Sequence, residues 1–580
     1  MKKVKRLLIT GLAIFLIVCF VIFLMIVVPS KQTQNLTTEE QAIKSAVAQN
    51  QAEAFELLEN LVNINSNTVN LAGVKAVADI VAKELEALGF DIRWEKPDGV
   101  NRAAHLFASR EGGMGKRVLL IAHADTVYAE NSEFQKFSRD EYNAYGPGVS
   151  DSKGGIVVII QALKALKQAG RLEDSNITVA ISSDEENVGE PALDARVPLI
   201  KAAEASNYVL AFESSGDFSE VMTARRGMAY WQLNVKNEDA LDLEDASYEN
   251  DFMFSVNFIV GGTAIDSEAG HAFGKGNVIP QKTVATGVIQ CDTRSHCQQI
   301  QTEMEAMISQ TDDRSVPTEV TMAFNTDEAG DNNSLSWQLI TEGQGGYSAK
   351  IFPTEYGRAA IFEMARILSI FTSNITNKND AILSSASILS NFEQALMNEG
   401  NYGLTFNTGV TAGGTEVAFG LETSIANVSG KSSHAQQAIS YGEIRYLSQE
   451  QCEKTQQQMD EIVAAANTNS RADTTADLEF VTICKPSMPV SDGNEALLKK
   501  LNHINGALGY GEVSAMDVIK LGTADINYVA DLDNIEGGLD GLGPVGGHSH
   551  SIEENMQIDS LIKATERAAI LIDRLTHARR

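Results

Sequence analysis

The chain is short of positive charge: 46 Lys and Arg face 77 Asp and Glu over 580 residues, a formal net charge of −31. Nucleic-acid backbones are bound through clustered Lys and Arg, so this balance argues against nucleic acid as a partner. Cysteine is scarce as well. Of five, Cys19 lies in an apolar N-terminal run, and Cys291, Cys297, Cys452 and Cys484 contain no C-x-x-C pair. A disulfide-knot scaffold is thereby excluded, while three full pairings, or free thiols, stay open for the remaining four. Proline numbers only 11, and collagen-like and coiled-coil classes drop out on composition. What is left, 43% hydrophobic and 21% charged residues, describes a folded chain of two or more domains.

At the N-terminus, Lys2, Lys3, Lys5 and Arg6 precede an uncharged run from Leu7 to Val28 that Pro29 closes. At ~1.5 Å per residue this run is long enough to cross a hydrocarbon core of ~30 Å. A cleaved signal peptide usually has an apolar core of ~7–15 residues and a small-x-small site, which VVPSKQ does not supply. The expectation is an uncleaved anchor over residues 1–29, single-pass. By the positive-inside rule the rest would lie outside the cytoplasm, periplasmic or extracellular.

Residues 30–36 read as a polar tether, and Thr37-x-x-Glu40 reads as a capping box opening a helix through about Asn63. The body then alternates: GVKAVADIVAKELEALGF has helical spacing, KRVLLIAHAD is a continuous apolar strand run, SKGGIVVIIQALKALKQAG returns to helix, and NITVAISSDEE and NYVLAFESS are strands. This pattern predicts an α/β domain with a mostly parallel central sheet flanked by helices, in two parts at 37–225 and 485–580. Between them, residues 226–484 form an inserted α+β domain. FSVNFIVGGT, NVIPQ and QCDTRS are echoed by FNTGVTAGGT, NVSGK and GEIRYL, with offsets of 152 between the threonines, 150 between the asparagines and 151 between the arginines. Three landmarks at nearly one offset suggest an internal duplication, with halves at 226–334 and 335–484.

His123 and Asp125 directly follow the strand VLLIA, at a carboxyl end where open α/β sheets bind ligands. A carboxylate two residues from an imidazole is placed to fix its tautomer. Asp151, in GPGVSDSKGG, is either the N-cap of the next helix or a ligand in a glycine-rich turn wrapped around a cation. Glu185 and Glu186 follow ITVAISS, and Glu213 ends YVLAFE. Alone, each would be surface acidity. His548 closes LDGLGPVGGHSHS, with His550 two residues on as the alternative. Together, two imidazoles and three carboxylates at one sheet rim make the donor set of two zinc ions sharing a bridging carboxylate, ~3.5–4 Å apart, with one glutamate spare as proton acceptor.

HADTVY, AYGPGVSDSKGG, SSDEE, YVLAFE and GLGPVGGHS with a late Glu553 resemble the di-zinc aminoacylase/carboxypeptidase family of acetylornithine deacetylase, succinyl-diaminopimelate desuccinylase and bacterial glutamate carboxypeptidases, and the last most. The resemblance implies that Asp151 bridges two Zn2+, that His123 and Glu213 complete one site, and that Glu186 and His548 complete the other. It further implies Glu185 as general base, Asp125 as the group orienting His123, and a cis peptide after Asp151. The insert stands where the family has its lid or dimerisation domain, at about twice the usual size, so a fused pair of lid units and a self-sufficient monomer are expected, with a homodimer as the alternative. Where relatives carry a lid histidine this chain has Tyr347-Ser348-Ala349. His271 and His434 are the replacements to consider, Asn277 matches a substrate-contacting asparagine, and Arg445 or Lys485 would receive a substrate carboxylate.

The function expected is a zinc-dependent metallo-exopeptidase acting on the amide bond next to a C-terminal amino acid in short peptides or N-acyl amino acids, glutamate carboxypeptidase-like. A dipeptidase or N-acyl amino acid deacylase is the alternative within enzymes. Outside them, the alternative is an inactive binding protein that retains metal.

Overall fold

The structure, a computed structural model, describes residues 35–577 apart from residues 114, 238–251, 262–277, 311–318, 327–333, 344–345, 348–358, 375–380, 398–400, 415–434, 470–473 and 483. The run from Leu7 to Val28 lies outside the described residues. Among those described, no helix is long and apolar enough to cross a membrane. The longest, Gln449–Asn469, carries Glu450, Glu453, Lys454, Asp460 and Glu461. The expectation of a single-pass, membrane-anchored protein is corrected accordingly.

The predicted capping box is present. Thr37 Oγ1 accepts from the Glu40 amide at 3.2 Å, and the Glu40 carboxylate accepts from the Thr37 amide at 2.9 Å. The helix runs Thr38–Gln49, breaks at Asn50 and resumes over Gln51–Val62. Glu40 is buried, with Arg574 Nε of the last helix, Ile558–Thr576, donating to it at 2.7 Å. The first helix of the domain is thus closed onto its last.

The strands Arg117–His123 and Asn176–Ser182 are buried along nearly their whole length, as strands covered by helices on both faces must be. They sit inside a six-stranded sheet in the order Asp91–Glu95, His105–Arg110, Asn176–Ser182, Arg117–His123, Tyr208–Ala211, Gly537–Leu539. The last four pair in parallel, whereas the first two run antiparallel to their neighbours. The sheet is therefore mixed, not mostly parallel throughout. The link from Asp91–Glu95 to His105–Arg110 is too short for the crossover that a parallel pair requires.

From Gly227 to Phe480 the chain builds a second, wholly antiparallel eight-stranded sheet. Its order is Glu319–Thr326, Ser334–Glu342, Lys282–Cys291, Phe252–Gly261, Thr405–Gly414, Gln437–Tyr446, Gly227–Asn237, Thr474–Phe480. The middle pairing sets Ile259 opposite Gly413 and Gly261 opposite Thr411. Each half carries one irregularity, at Val256/Phe258 and at Thr408/Val410, 152 residues apart. Two aromatic triads pack against the sheet: Trp337 stacks on Phe254, which meets Phe371 edge-on, and Trp231 stacks on Phe406, which meets Phe392 edge-on. Opposite each tryptophan in the sheet lies a glycine, Gly287 for Trp337 and Gly442 for Trp231. The Trp231 strand comes first in the insert yet sits between Gln437–Tyr446 and Thr474–Phe480, its last two strands, whereas the Trp337 strand lies between Glu319–Thr326 and Lys282–Cys291, which precede it. The insert is rooted where Arg225 Nε donates to the buried Asp540 at 2.6 Å and the Arg226 carbonyl accepts from Thr523 Oγ1 and Asn527 Nδ2, each at 3.1 Å.

Candidate metal centre

His123 is the last residue of its strand, Glu185 and Glu186 follow the end of Asn176–Ser182, and Glu213 follows Tyr208–Ala211. Because these strands are parallel neighbours, all of these side chains leave the sheet at one rim. Asp151 reaches the same rim from the turn before the helix Lys153–Gln168. The N-cap of that helix is Ser152, which makes no side-chain cap. Its hydroxyl instead accepts from the His123 amide at 3.0 Å and donates to the His123 carbonyl at 3.2 Å. Asp151 is therefore not the N-cap of that helix, and its carboxylate is left to the rim. The peptide between Asp151 and Ser152 is cis. Gly155 lets the helix press on the strand that carries Glu213, since a Cβ there would fall 2.0 Å from the Phe212 carbonyl oxygen.

Two groups of donors result, {His123, Asp151, Glu213} and {Asp151, Glu186, His550}, each with its ligand atoms within 4.8 Å of one another. His123 Nε2 lies 3.1 Å from Asp151 Oδ1 and 3.5 Å from Glu213 Oε1. His550 Nε2 lies 3.4 Å from Asp151 Oδ2 and 3.0 Å from Glu186 Oε2. The two oxygens of Asp151 thus face two different sets of partners. One sequence expectation is corrected here: the second imidazole is His550 and not His548. Both residues adopt left-handed backbone, φ 58° and 66°, which turns the loop so that His548 points outward, 3.8 Å from the exposed Glu553. The acidic partner is displaced in the same way, since Glu554, and not Glu553, is the buried carboxylate of this segment.

Asp125 holds more than one neighbour. Its carboxylate lies 3.3 Å from His123 Nδ1 and accepts from Thr68 Oγ1 at 2.6 Å. It also accepts from the amides of Glu185 and Glu186, each at 3.1 Å. His123 Nδ1 additionally donates to the Asp125 carbonyl at 3.1 Å, which leaves Nε2 as the ring atom facing Asp151 and Glu213. The loop bearing the glutamates is pinned from behind as well. Arg196 donates to Asp184 at 2.6 Å and to Asp525 at 2.7 Å, all three buried.

The electrostatics are those of crowded acids short of positive charge. Burial alone would lower the pKa of His123, but Glu213, Asp125 and Asp151 raise it well above its ordinary value. Glu186 pushes His550 up to about 12, with Asp151 adding to it. Burial raises Glu213 to about 7, against the pull of His123. Burial, with Glu213 and other acids adding to it, also holds Glu185 well above the usual carboxylate range. Oxygen and nitrogen donors crowded in this way are the kind a divalent cation holds together. The residues present therefore fit such cations.

Of the residues expected to meet substrate, His271, Asn277 and His434 lie outside the described residues. Arg445 is corrected: its guanidinium is buried and taken up by Glu443 at 2.7 and 3.2 Å, so it is not open to a substrate carboxylate. Lys485 is near-buried, its pKa lowered first by burial and then by the Arg196 charge, with Glu190 and Glu185 among the acids that act on it. Its carbonyl accepts from Tyr446 Oη at 2.8 Å. The cysteines pair as Cys291–Cys297 and Cys452–Cys484, the second fastening the helix Gln449–Asn469 next to Lys485.

The profile of peptidase family M20/M25/M40 matches residues 119–574. Carboxypeptidase G2 from Pseudomonas sp. (strain RS-16) is 34% identical over 199 residues, covering 34% of this chain and 47% of its own. Succinyl-diaminopimelate desuccinylase from Nitrosospira multiformis is 28% identical over 171 residues, covering 27% and 43%. The chain thus spans about half the length of the curated relatives it matches. Among solved structures, aminopeptidase PepT from Bacillus cereus superposes with a TM-score of 0.51 at 14% identity, over 91% of this chain and 99% of that one. The dipeptidase Dug1p from Saccharomyces cerevisiae gives 0.50 at 14%, over 93% and 99%. At such identities the likeness speaks to the fold alone. The profile match spans most of the chain and takes in every residue of both donor groups, and the chain belongs to peptidase family M20/M25/M40, a family of metallopeptidases.

Proposed function

We propose that this protein is a zinc-dependent exopeptidase that hydrolyses the amide bond next to a C-terminal amino acid in short peptides or N-acyl amino acids. The observation that carries the reading is the division of Asp151, one oxygen toward His123 and Glu213, the other toward Glu186 and His550. Two Zn2+ per chain would be held there, one by His123, Asp151 and Glu213 and the other by Asp151, Glu186 and His550. Bound, the cations would polarise the scissile carbonyl and acidify the attacking water. Glu185 takes the proton from that water and returns it to the leaving amine, and its raised pKa suits both halves of this task. Asp125 fixes the His123 ring and, through two amides, the position of Glu185. The ammonium of Lys485 receives the substrate's carboxylate, which would supply the preference for a C-terminal residue. Glutamate as that residue is suggested by the resemblance to glutamate carboxypeptidases.

The insert, on this reading, is a duplicated lid whose two halves have exchanged their tryptophan-bearing strands. The paired irregularities and the two aromatic triads support it. A chain that carries both halves would be catalytically complete as a monomer.

Hydrolysis of a panel of dipeptides, longer peptides and acyl-amino acids, with and without chelator, tests the proposal. Release of the C-terminal residue, lost with chelator and restored by zinc, is expected. In Glu185→Gln, turnover falls by ~10²–10⁴-fold while zinc content is kept. Cleavage confined to dipeptides or to acyl-amino acids would mark a dipeptidase or deacylase, and no turnover with zinc bound would mark a binding protein.

A further inference from the structure

Glu554 belongs to neither donor group and is fully buried. A carboxylate in that position is costly unless its lone pairs are used, and here they are. Oε1 accepts from the Ser150 amide at 2.9 Å, Ser150 Oγ at 3.0 Å and the Asp151 amide at 3.1 Å. Oε2 accepts from the Gly148 amide at 3.0 Å and from Tyr128 Oη at 2.8 Å. Three amides of one turn converge on a single side chain supplied from some 400 residues away in sequence. The Ser551 carbonyl lies 2.8 Å from the same Tyr128 Oη, whose single proton the two oxygens share, and it accepts from the Glu554 amide at 3.1 Å. Ser551 directly follows His550.

We infer that Glu554 is a positioning residue that sets the bridging Asp151 and His550 in register with each other, and so governs the cation on the His550 side. The other ligands do not depend on it. His123 and Glu213 are set by the ends of parallel strands, and Glu186 by Asp125. Asp151 also keeps a second anchor, since Ser152, next along the chain, is tied to both backbone groups of His123. Loss of the Glu554 carboxylate therefore loosens the His550 side and spares the His123 side. The inference rests on the two-cation reading above.

Zinc titration of the metal-stripped protein by calorimetry, with zinc content measured after desalting, tests it. In wild type two equivalents bind. In Glu554→Gln the first binds as in wild type and the second is weakened ~10–100-fold, the usual effect of losing a group that orients a ligand. Glu553→Gln, altering the exposed neighbour, leaves both unchanged. Should Glu554→Gln fail to fold, Tyr128→Phe decides, because it keeps the carboxylate and removes only the hydroxyl bonds to Glu554 and Ser551. Selective weakening of the second equivalent there supports the inference. Two unchanged equivalents, or two weakened equally in a folded variant, overturn it. A wild type that never binds two equivalents refutes the two-cation reading itself, a distinguishable failure.

Discussion

The two sides of the metal centre are built from different material. His123 is 1% exposed, at the end of a central strand, with its ring and both backbone groups bonded. His550 is 48% exposed and sits on a loop in left-handed conformation. Glu213 and Glu186 are both largely buried, so the asymmetry lies in the imidazoles and their supports. A strand end fixes a ligand through the sheet. A loop has no such support, and here Glu554, later in the same segment, ties the loop to the turn that carries Asp151.

Substitutions sharpen or break this contrast. Asp151→Asn has the largest effect, since Asp151 is shared: both zinc equivalents are lost on desalting and hydrolysis stops. If one equivalent survives at full affinity, the bridging role is wrong. Asp125→Asn comes next and falls on the buried side, with zinc affinity there reduced ~10–100-fold in the same calorimetric titration. His123→Ala lowers the stability of the metal-free fold by ~1–3 kcal/mol, because buried partners lose their bonds. His550→Ala costs the metal-free fold less, because solvent screens its ion pairs with Asp151 and Glu186, yet removes one zinc equivalent. Denaturant unfolding of both metal-free variants reads this difference, and equal losses would erase the contrast. The smallest effect is expected from His548→Ala, with zinc content and turnover both as in wild type.

The same contrast accounts for what could be read in the sequence. His123, Glu186 and Glu213 were legible because an apolar strand run announces its own end, and parallel strands bring their ends together. Asp151 was legible only to the point of two readings, and of these the N-cap reading fails because the helix takes Ser152 in that position. His550 was legible only as the alternative to His548. HSHS has no periodicity, and nothing in it announces the left-handed conformations at 548 and 550. Thr68, Tyr128 and Glu554 act across 57 to 426 residues of chain, a separation no local pattern encodes. In the insert, the offset of about 151 residues is matched by the spacing of the two sheet irregularities. The placement of the Trp231 strand between Gln437–Tyr446 and Thr474–Phe480 left no local trace, because a strand's alternation does not name its neighbours. The antiparallel edge of the first sheet was missed since His105–Arg110 looks the same in either direction, and only the length of its connection tells.

The measurement closest to the central claim is the anomalous scattering of zinc in crystals of the zinc-loaded protein. Two peaks ~3.5–4 Å apart, one between Asp151, His123 and Glu213 and the other between Asp151, Glu186 and His550, are the predicted result. A single peak, peaks that do not share Asp151, or a second ion held by His548 would contradict the account.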